Sequence, residues 1–305
     1  MRLIAAIGVL SLITACGDSY NEDRETSTIN KSNAQTIVNQ AITGDQNLSI
    51  VRDTLPNEGK TNNFSNKNKA IVYCGTNPFE DTGNGSMDIN LSGTLPADYT
   101  FDIAFDQCQF IETTTFNGGY TFNLSGDGLI GPIFGEGENT ITQTFDSLSL
   151  VETTTPLDLL AVGTVTSNNN YTGTTFTSND TLNLEIAYNE TAIAFSDWVK
   201  VIELDTEASL FTMTLNGTVD ISSQNGAFTI ATLEPLVFDA NGEAAEFIIS
   251  GKFQLTAEDN SSVIVTVLDS TQVQLDIDEN GDGIIDETLV IDIADLNLLS
   301  MIDLN

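Results

Sequence analysis

The chain has 305 residues, with 44 acidic side chains against 9 basic ones and no histidine, for a formal charge of -35. So acidic a surface repels nucleic-acid phosphates and anionic headgroups, which excludes DNA, RNA and polybasic membrane attachment. Without histidine there is no Ser-His-Asp triad, no Cys-His pair and no histidine-bound zinc.

The first element is a leader. Arg2 precedes the apolar run Leu3 to Leu12, and Ile13-Thr14-Ala15-Cys16 closes it. A charged start, a short apolar stretch and small residues at its end make a secretory signal too short for a permanent membrane span. Small residues directly before a cysteine resemble the lipobox of bacterial lipoproteins. That resemblance implies loss of residues 1–15 and acylation of Cys16, whose lipid makes the membrane a partner. Gly17 follows where retention at the inner membrane would call for aspartate, so the resemblance implies placement at the outer membrane. Cys74 and Cys108 then remain as an even pair in an oxidising compartment, and a disulfide is expected. Closing a loop of 34 positions stabilises a fold by about 3 to 4 kcal/mol in the chain-entropy model.

Residues 16–69 are rich in Asn, Thr, Ser, Asp and Lys, the composition of a tether that buries little surface. One short helix is expected within it. Ser32-Asn33-Ala34-Gln35 offers an N-cap, and Ile37, Val38, Ala41 and Ile42 recur at helical spacing up to Gly44.

From residue 70 to residue 305 the apolar period is two, which predicts an all-β, antiparallel meander forming a sandwich or an elongated barrel-like sheet. Met87, Ile89 and Leu91 alternate with polar neighbours, as do Phe101, Ile103 and Phe105, then Tyr120, Phe122 and Leu124, then Leu182, Leu184, Ile186 and Tyr188. The clearest strand runs from Phe211 to Ile221, with Gly217 as a bulge. Turns are expected at Asn84-Gly85, Asn117-Gly118-Gly119, Asn225-Gly226 and Asn241-Gly242. Ser167 to Asn170 reads as a loop that could divide the β region in two. Gly126-Asp127-Gly128-Leu129-Ile130-Gly131 has the spacing of a dinucleotide loop, but Pro132 stands where a helix should begin, so it reads as a glycine-rich hairpin. Trp198 beside Phe195 reads as core.

One stretch carries chemistry. Asp276-Ile277-Asp278-Glu279-Asn280-Gly281-Asp282-Gly283-Ile284-Ile285-Asp286-Glu287 sets oxygen donors at alternate positions around two glycines, a spacing that suits calcium and its six to eight hard ligands. A register starting at Asp276 meets the EF-hand pattern. A register starting at Asp278 resembles calcium loops of extracellular bacterial proteins and of the integrin type, which strands flank. Alternation on both sides here favours the second register, with Asp278, Asn280, Asp282 and Asp286 as ligands and the Ile284 carbonyl as another. Its twelfth place is Leu289, so the bidentate glutamate is missing and micromolar to millimolar affinity is expected. An ordinary metal-free hairpin is the competing reading.

Tyr73-Cys74-Gly75, Phe105-Asp106-Gln107-Cys108 and the hairpin Phe116-Asn117-Gly118-Gly119-Tyr120-Thr121-Phe122 resemble an uncharacterised group of two-cysteine, β-rich envelope lipoproteins over the first half of the chain. The resemblance implies no activity. The resulting expectation is a lipid-anchored, non-enzymatic scaffold or binder of a protein or glycan. Its rival is a carboxylate-dependent polysaccharide hydrolase, for which a cleft with two close carboxylates beside aromatics would be the mark.

Overall fold

The structure, a computed structural model, describes residues 26–43, 69–74, 84–94, 97–111, 114–128, 130–131, 135–152, 157–188, 191–239 and 248–296. Cys16 and Asn241-Gly242 lie outside them. One helix, α1 (Ala34–Thr43), precedes fourteen strands: β1 (Lys69–Tyr73), β2 (Ser86–Thr94), β3 (Asp98–Ile111), β4 (Thr114–Gly126), β5 (Gly137–Glu152), β6 (Leu157–Tyr171), β7 (Thr175–Tyr188), β8 (Thr191–Asp205), β9 (Leu210–Ile221), β10 (Gly226–Asp239), β11 (Ile248–Ala257), β12 (Ser262–Val267), β13 (Gln272–Asp278) and β14 (Glu287–Asp292). Every strand pairs antiparallel with its sequence neighbours in one sheet, in the order β1 to β14. The expected meander is therefore present as a single open sheet, with no pairing among the described residues that closes it into a barrel.

Burial follows the period-two reading. In β9, Phe211, Met213, Leu215, Val219 and Ile221 are buried, while Thr212, Thr214 and Asp220 are not. Buried faces of successive strands join in one contiguous core. Aromatic pairs tie neighbouring strands, among them Phe211 stacked on Phe238 with centroids 4.6 Å apart. Trp198 is buried edge-on against Phe195 at 5.1 Å, and its Nε1 has no hydrogen-bond partner among the described residues.

A sheet of fourteen strands with one apolar face cannot lie flat in water, because twisted open sheets of that width curl or split. A row of bulges marks where this one bends. Gln107 of β3, Ser147 of β5 and Asp197 of β8 are non-glycine residues at φ near +50°. Each adds one residue to its strand, so the buried positions step by three there: Phe105 to Cys108, Phe145 to Leu148 and Phe195 to Trp198. The row is continuous. Gln107 N–H donates to Asn117 Oδ1 at 2.9 Å, and Gly118 packs on the Ser147 carbonyl. Farther along, Gly163 of β6 packs on Asn183 of β7, Asp197 N–H donates to Asn183 Oδ1 at 3.0 Å, and Gly217 of β9 packs on Asp197. Bulges increase local twist and bend the strand that carries them. Set side by side from β3 to β9, they give the sheet a line along which its strands can bend to enclose the apolar face.

Two expectations are corrected here. Asn117-Gly118-Gly119 is not a turn but part of β4, where Gly118 at φ +91° faces the bulge in β5. Ser167 to Asn170 is not a loop but lies within β6, paired with both β5 and β7, so no break in the sheet divides the β region there. Gly217 marks a bulge from the opposite strand, since the extra residue is in β8, where Asp197 and Trp198 stand against it, and Asn225 at φ 57° makes the β9–β10 turn.

The helix is where its pattern puts it, but it is no part of a loose tether. The Asn33 carbonyl accepts the first helical bond from Ile37 N–H at 2.9 Å, and Ile37, Val38, Ala41 and Ile42 are buried. Ten residues are too few for a stable helix alone. Packing supplies the difference, since α1 lies against β9, β13 and the 3-10 turn Ile293–Leu296, which also buries Ile293 and Leu296. The tether expectation for 16–69 is thus corrected for residues 26–43, whose apolar side chains join the sheet's core. The rest of that stretch, up to residue 68, lies outside the described residues.

At the other edge, Cys74 and Cys108 form the expected disulfide, with Cα atoms 5.3 Å apart. It bonds the short edge strand β1 across β2 to β3.

Gly217→Ala tests the bulge row. At φ +136° an added Cβ would lie 2.5 Å from Trp198 Cα and 2.6 Å from the Asp197 carbonyl oxygen, both backbone atoms that cannot step aside. The variant should lose about 1 to 3 kcal/mol of stability or more, with emission from Trp198, the only tryptophan, shifting red at the same denaturant concentration. Wild-type stability in urea would refute the packing described.

Candidate functional site

The Asp278–Asp286 loop joins β13 to β14, so strands flank it as the second register requires. Asp276 sits within β13, where its Oδ1 accepts a hydrogen bond from Thr288 Oγ1 across the strand pair at 2.8 Å. It is strand surface, not the first position of a loop.

Asp278 organises the loop. Its side chain is almost fully buried, and Oδ1 accepts the N–H of Gly281 at 2.8 Å and of Asp282 at 3.3 Å, while Oδ2 accepts Gly283 N–H at 2.7 Å. Asn280 Oδ1 accepts Asp282 N–H at 2.9 Å, and Asp282 Oδ1 accepts Ile284 N–H at 2.8 Å. Asp286 reaches back, its Oδ2 accepting Glu279 N–H at 2.9 Å, while its own N–H donates to the Ile277 carbonyl at 2.8 Å. Gly281 and Gly283 take φ of 73° and 83°. The four expected side chains lie on one short loop, and of them Asp282 is the one bonded to the Ile284 backbone.

Every donor group in this set is a hard oxygen, which suits calcium better than a transition metal. Among the described residues no three His, Cys, Asp or Glu side chains group closely enough to hold a metal by themselves. A calcium sphere here would draw on the Asn280 amide oxygen, the Ile284 carbonyl and water beside the carboxylates. Asp278 caps three N–H groups and so ties its carboxylate to the loop backbone.

A neighbouring set of contacts was missed in the sequence. The segment before α1 is clasped to the same end of the sheet. Ser27 N–H donates to Glu258 Oε2 at 3.2 Å and its hydroxyl to the Ala227 carbonyl at 2.8 Å, while Glu258 N–H donates to the Ser27 hydroxyl at 3.0 Å. Ile29 N–H donates to Ser261 Oγ at 2.6 Å. Lys31 N–H donates to Glu279 Oε1 at 2.8 Å, and its ammonium pairs with Glu287 at 3.1 Å. Glu279 lies in the loop and Glu287 opens β14, and neither belongs to the expected ligand set. The Lys31 ion pair is half-exposed and adds little by itself. Buried Ser27, Ile29 and Ser261 carry the clasp.

Asp259 holds the receiving turn. Its Oδ1 accepts both the hydroxyl and the N–H of Ser261, at 2.5 Å and 2.8 Å. Burial works to raise its pKa, but hydrogen bonds from Ser261 and from the Thr28 hydroxyl prevail and hold it below the ordinary 3.8.

A second candidate is a polar cleft of about 570 Å³ at the far ends of β4, β5 and β6, lined by Ser125, Asp127, Glu138, Thr140, Asn168 and Asn170 among others. Asp127 Oδ2 accepts Glu138 N–H at 2.9 Å. No aromatic side chain lines it. Asp127 belongs to the glycine-rich connection, in which Gly131 and Gly135 form an isolated antiparallel bridge.

No protein-family model, no curated protein and no solved structure matches the chain, so its own chemistry carries the reading.

A pKa lowered by folding contributes stability above the unfolded value and loses it as pH falls through the folded one. Asp259→Asn should therefore destabilise the protein at pH 7, and the gap from wild type should close as pH drops below about 3.8. Thermal midpoints of the pair between pH 7 and about pH 2.5 check this; a gap that stays constant would contradict the role given to the carboxylate.

Proposed function

We propose that the chain is a lipid-anchored protein of the bacterial cell envelope, held in the outer membrane through Cys16, and that it acts as a non-enzymatic scaffold or binding protein with a calcium-stabilised hairpin. The observation that carries this reading is the short apolar leader ending in Ile13-Thr14-Ala15-Cys16. The all-β body with its buried disulfide suits an oxidising compartment outside the cytoplasm. The partner is a protein or a glycan, met by the polar, acidic exterior.

Calcium would stiffen the β13–β14 loop by bridging Asp278, Asn280, Asp282 and Asp286, with the Ile284 carbonyl completing the protein's share. Its part would be structural, tying together a loop whose carboxylates already bond to its own backbone.

Scaffolding is favoured over polysaccharide hydrolysis by the makeup of the polar cleft at the far ends of β4, β5 and β6. Asp127 and Glu138 provide two carboxylates there, but the walls offer sugar rings no aromatic platform.

Two measurements test the proposal. Cys16→Ala should move the protein from the membrane fraction to the soluble one, and a variant that stays membrane-bound would overturn the anchor. Chelation should lower the wild-type thermal midpoint and leave Asp282→Ala unchanged. With calcium at a hundred times its dissociation constant the loss amounts to about 2.7 kcal/mol. Equal responses of the two proteins to chelator would remove the site.

A further inference from the structure

The docked N-terminal segment shortens the distance between anchor and body. Ser27, Ile29 and Lys31 are pinned to the β11–β12 turn and the β13–β14 loop, which themselves meet where Gly281 packs on Asn260. Eleven positions separate Cys16 from Ser27. Fully extended they reach at most about 40 Å, and as a flexible chain about 18 Å. Strand β9, of 12 residues, is itself about 40 Å long at roughly 3.3 Å per residue. Turns at the opposite end of the sheet, such as the one at Thr206 to Ser209 between β8 and β9, lie a strand length from the clasped residues, beyond the flexible-chain reach of that tether and at the limit of its extended reach.

That clasped end carries an unusual surface. Ile284 is 66% exposed, the most exposed large apolar side chain among the described residues, and adjacent Ile285 is 41% exposed. Both project from a loop whose backbone is fixed by the Asp278, Asn280 and Asp282 side chains. A rigid tip loses little freedom when it enters a second phase.

Resting on the lipid-anchor reading, we infer that the Ile284-Ile285 tip is a membrane-contact element: the β13–β14 end of the sheet faces the bilayer that holds the Cys16 lipid, and the two isoleucines enter its interfacial layer. Two side chains would not hold a free protein on a membrane. Tethering makes the contact intramolecular, with an effective concentration in the millimolar range. Glu279, Asp282, Asp286 and Glu287 surround the tip, so the surface it meets is zwitterionic rather than anionic. A loose tether over the whole of residues 16–69 would have left the body free to turn; the clasp gives it an orientation.

The test uses the full-length lipidated protein in phosphatidylcholine vesicles. With Cys16 acylated and Cys74 bonded to Cys108, Ile284→Cys, Ile285→Cys and Ala208→Cys each present one thiol for an environment-sensitive fluorophore. Ala208 is exposed in the β8–β9 turn and serves as the distal reference. A blue shift and quenching by brominated lipid are expected at Ile284 and Ile285 and not at Ala208. Water-like emission from both loop positions on vesicle-bound protein would overturn the contact and leave the anchor standing. Failure of the acylated protein to bind vesicles would overturn both. A blue shift that persists in Cys16→Ala would show contact without the tether and would equally overturn the inference.

Discussion

A one-sided sheet must hide its apolar face, and in this chain the rest of the structure depends on how that is done. Fourteen strands in sequence order form one sheet, and among the described residues there is no second sheet to pack against. The bulge row from Gln107 to Gly217 lets the sheet bend toward its own interior, and α1 with the 3-10 turn at Ile293–Leu296 fills the space that β9 and β13 leave between them. Each bulge places a residue at positive φ, a local cost that only a surrounding sheet over-determining the conformation can hold. Glycines opposite all three bulges, Gly85, Gly118 and Gly217, reduce the crowding. The disulfide secures the opposite edge, where β1 has only five residues of ladder.

Strands and their inner faces were legible because the pleat has a period of two, and a buried face shows that period directly in residues such as Phe211 to Ile221. The helix was legible for the corresponding reason at a period near 3.6. Bulges broke the reading where they reset it. Trp198 is three positions from Phe195, and a strict alternation puts the two on opposite faces; only Asp197 at φ 50° brings them together. Asn117-Gly118-Gly119 has the composition of a hairpin turn, and nothing local distinguishes a glycine needed by a neighbouring strand's bulge from one needed by a turn. Ser167 to Asn170 misled for a different reason. Polar residues fill β6 there because the far ends of β5 to β7 have left the apolar core, with Asn139 bonded to Asn169 at 2.9 Å in place of a hydrophobic pair.

The loop's register could be chosen from its flanks, and Asp276 in strand geometry agrees with that choice. The clasp could not. Ser27 and Ile29 sit in a polar stretch whose mean composition describes a tether, and their partners at Ala227, Glu258 and Ser261 are 200, 231 and 232 positions away. Composition averages over a window; a single buried serine and a single buried isoleucine disappear in the average. Their effect on the proposed function is large, because a pinned segment would let a lipid on Cys16 present a particular end of the sheet.

Both the closed core and the oriented anchor require the helix and its leading segment to belong to the folded body. Amide hydrogen exchange on the mature protein measures this directly. Amides of Ile37 to Ile42 should exchange as slowly as those in the middle of β9 and β13, since their opening requires the same core to open. Exchange at the rate of an unstructured chain, with β9 and β13 still protected, would contradict it.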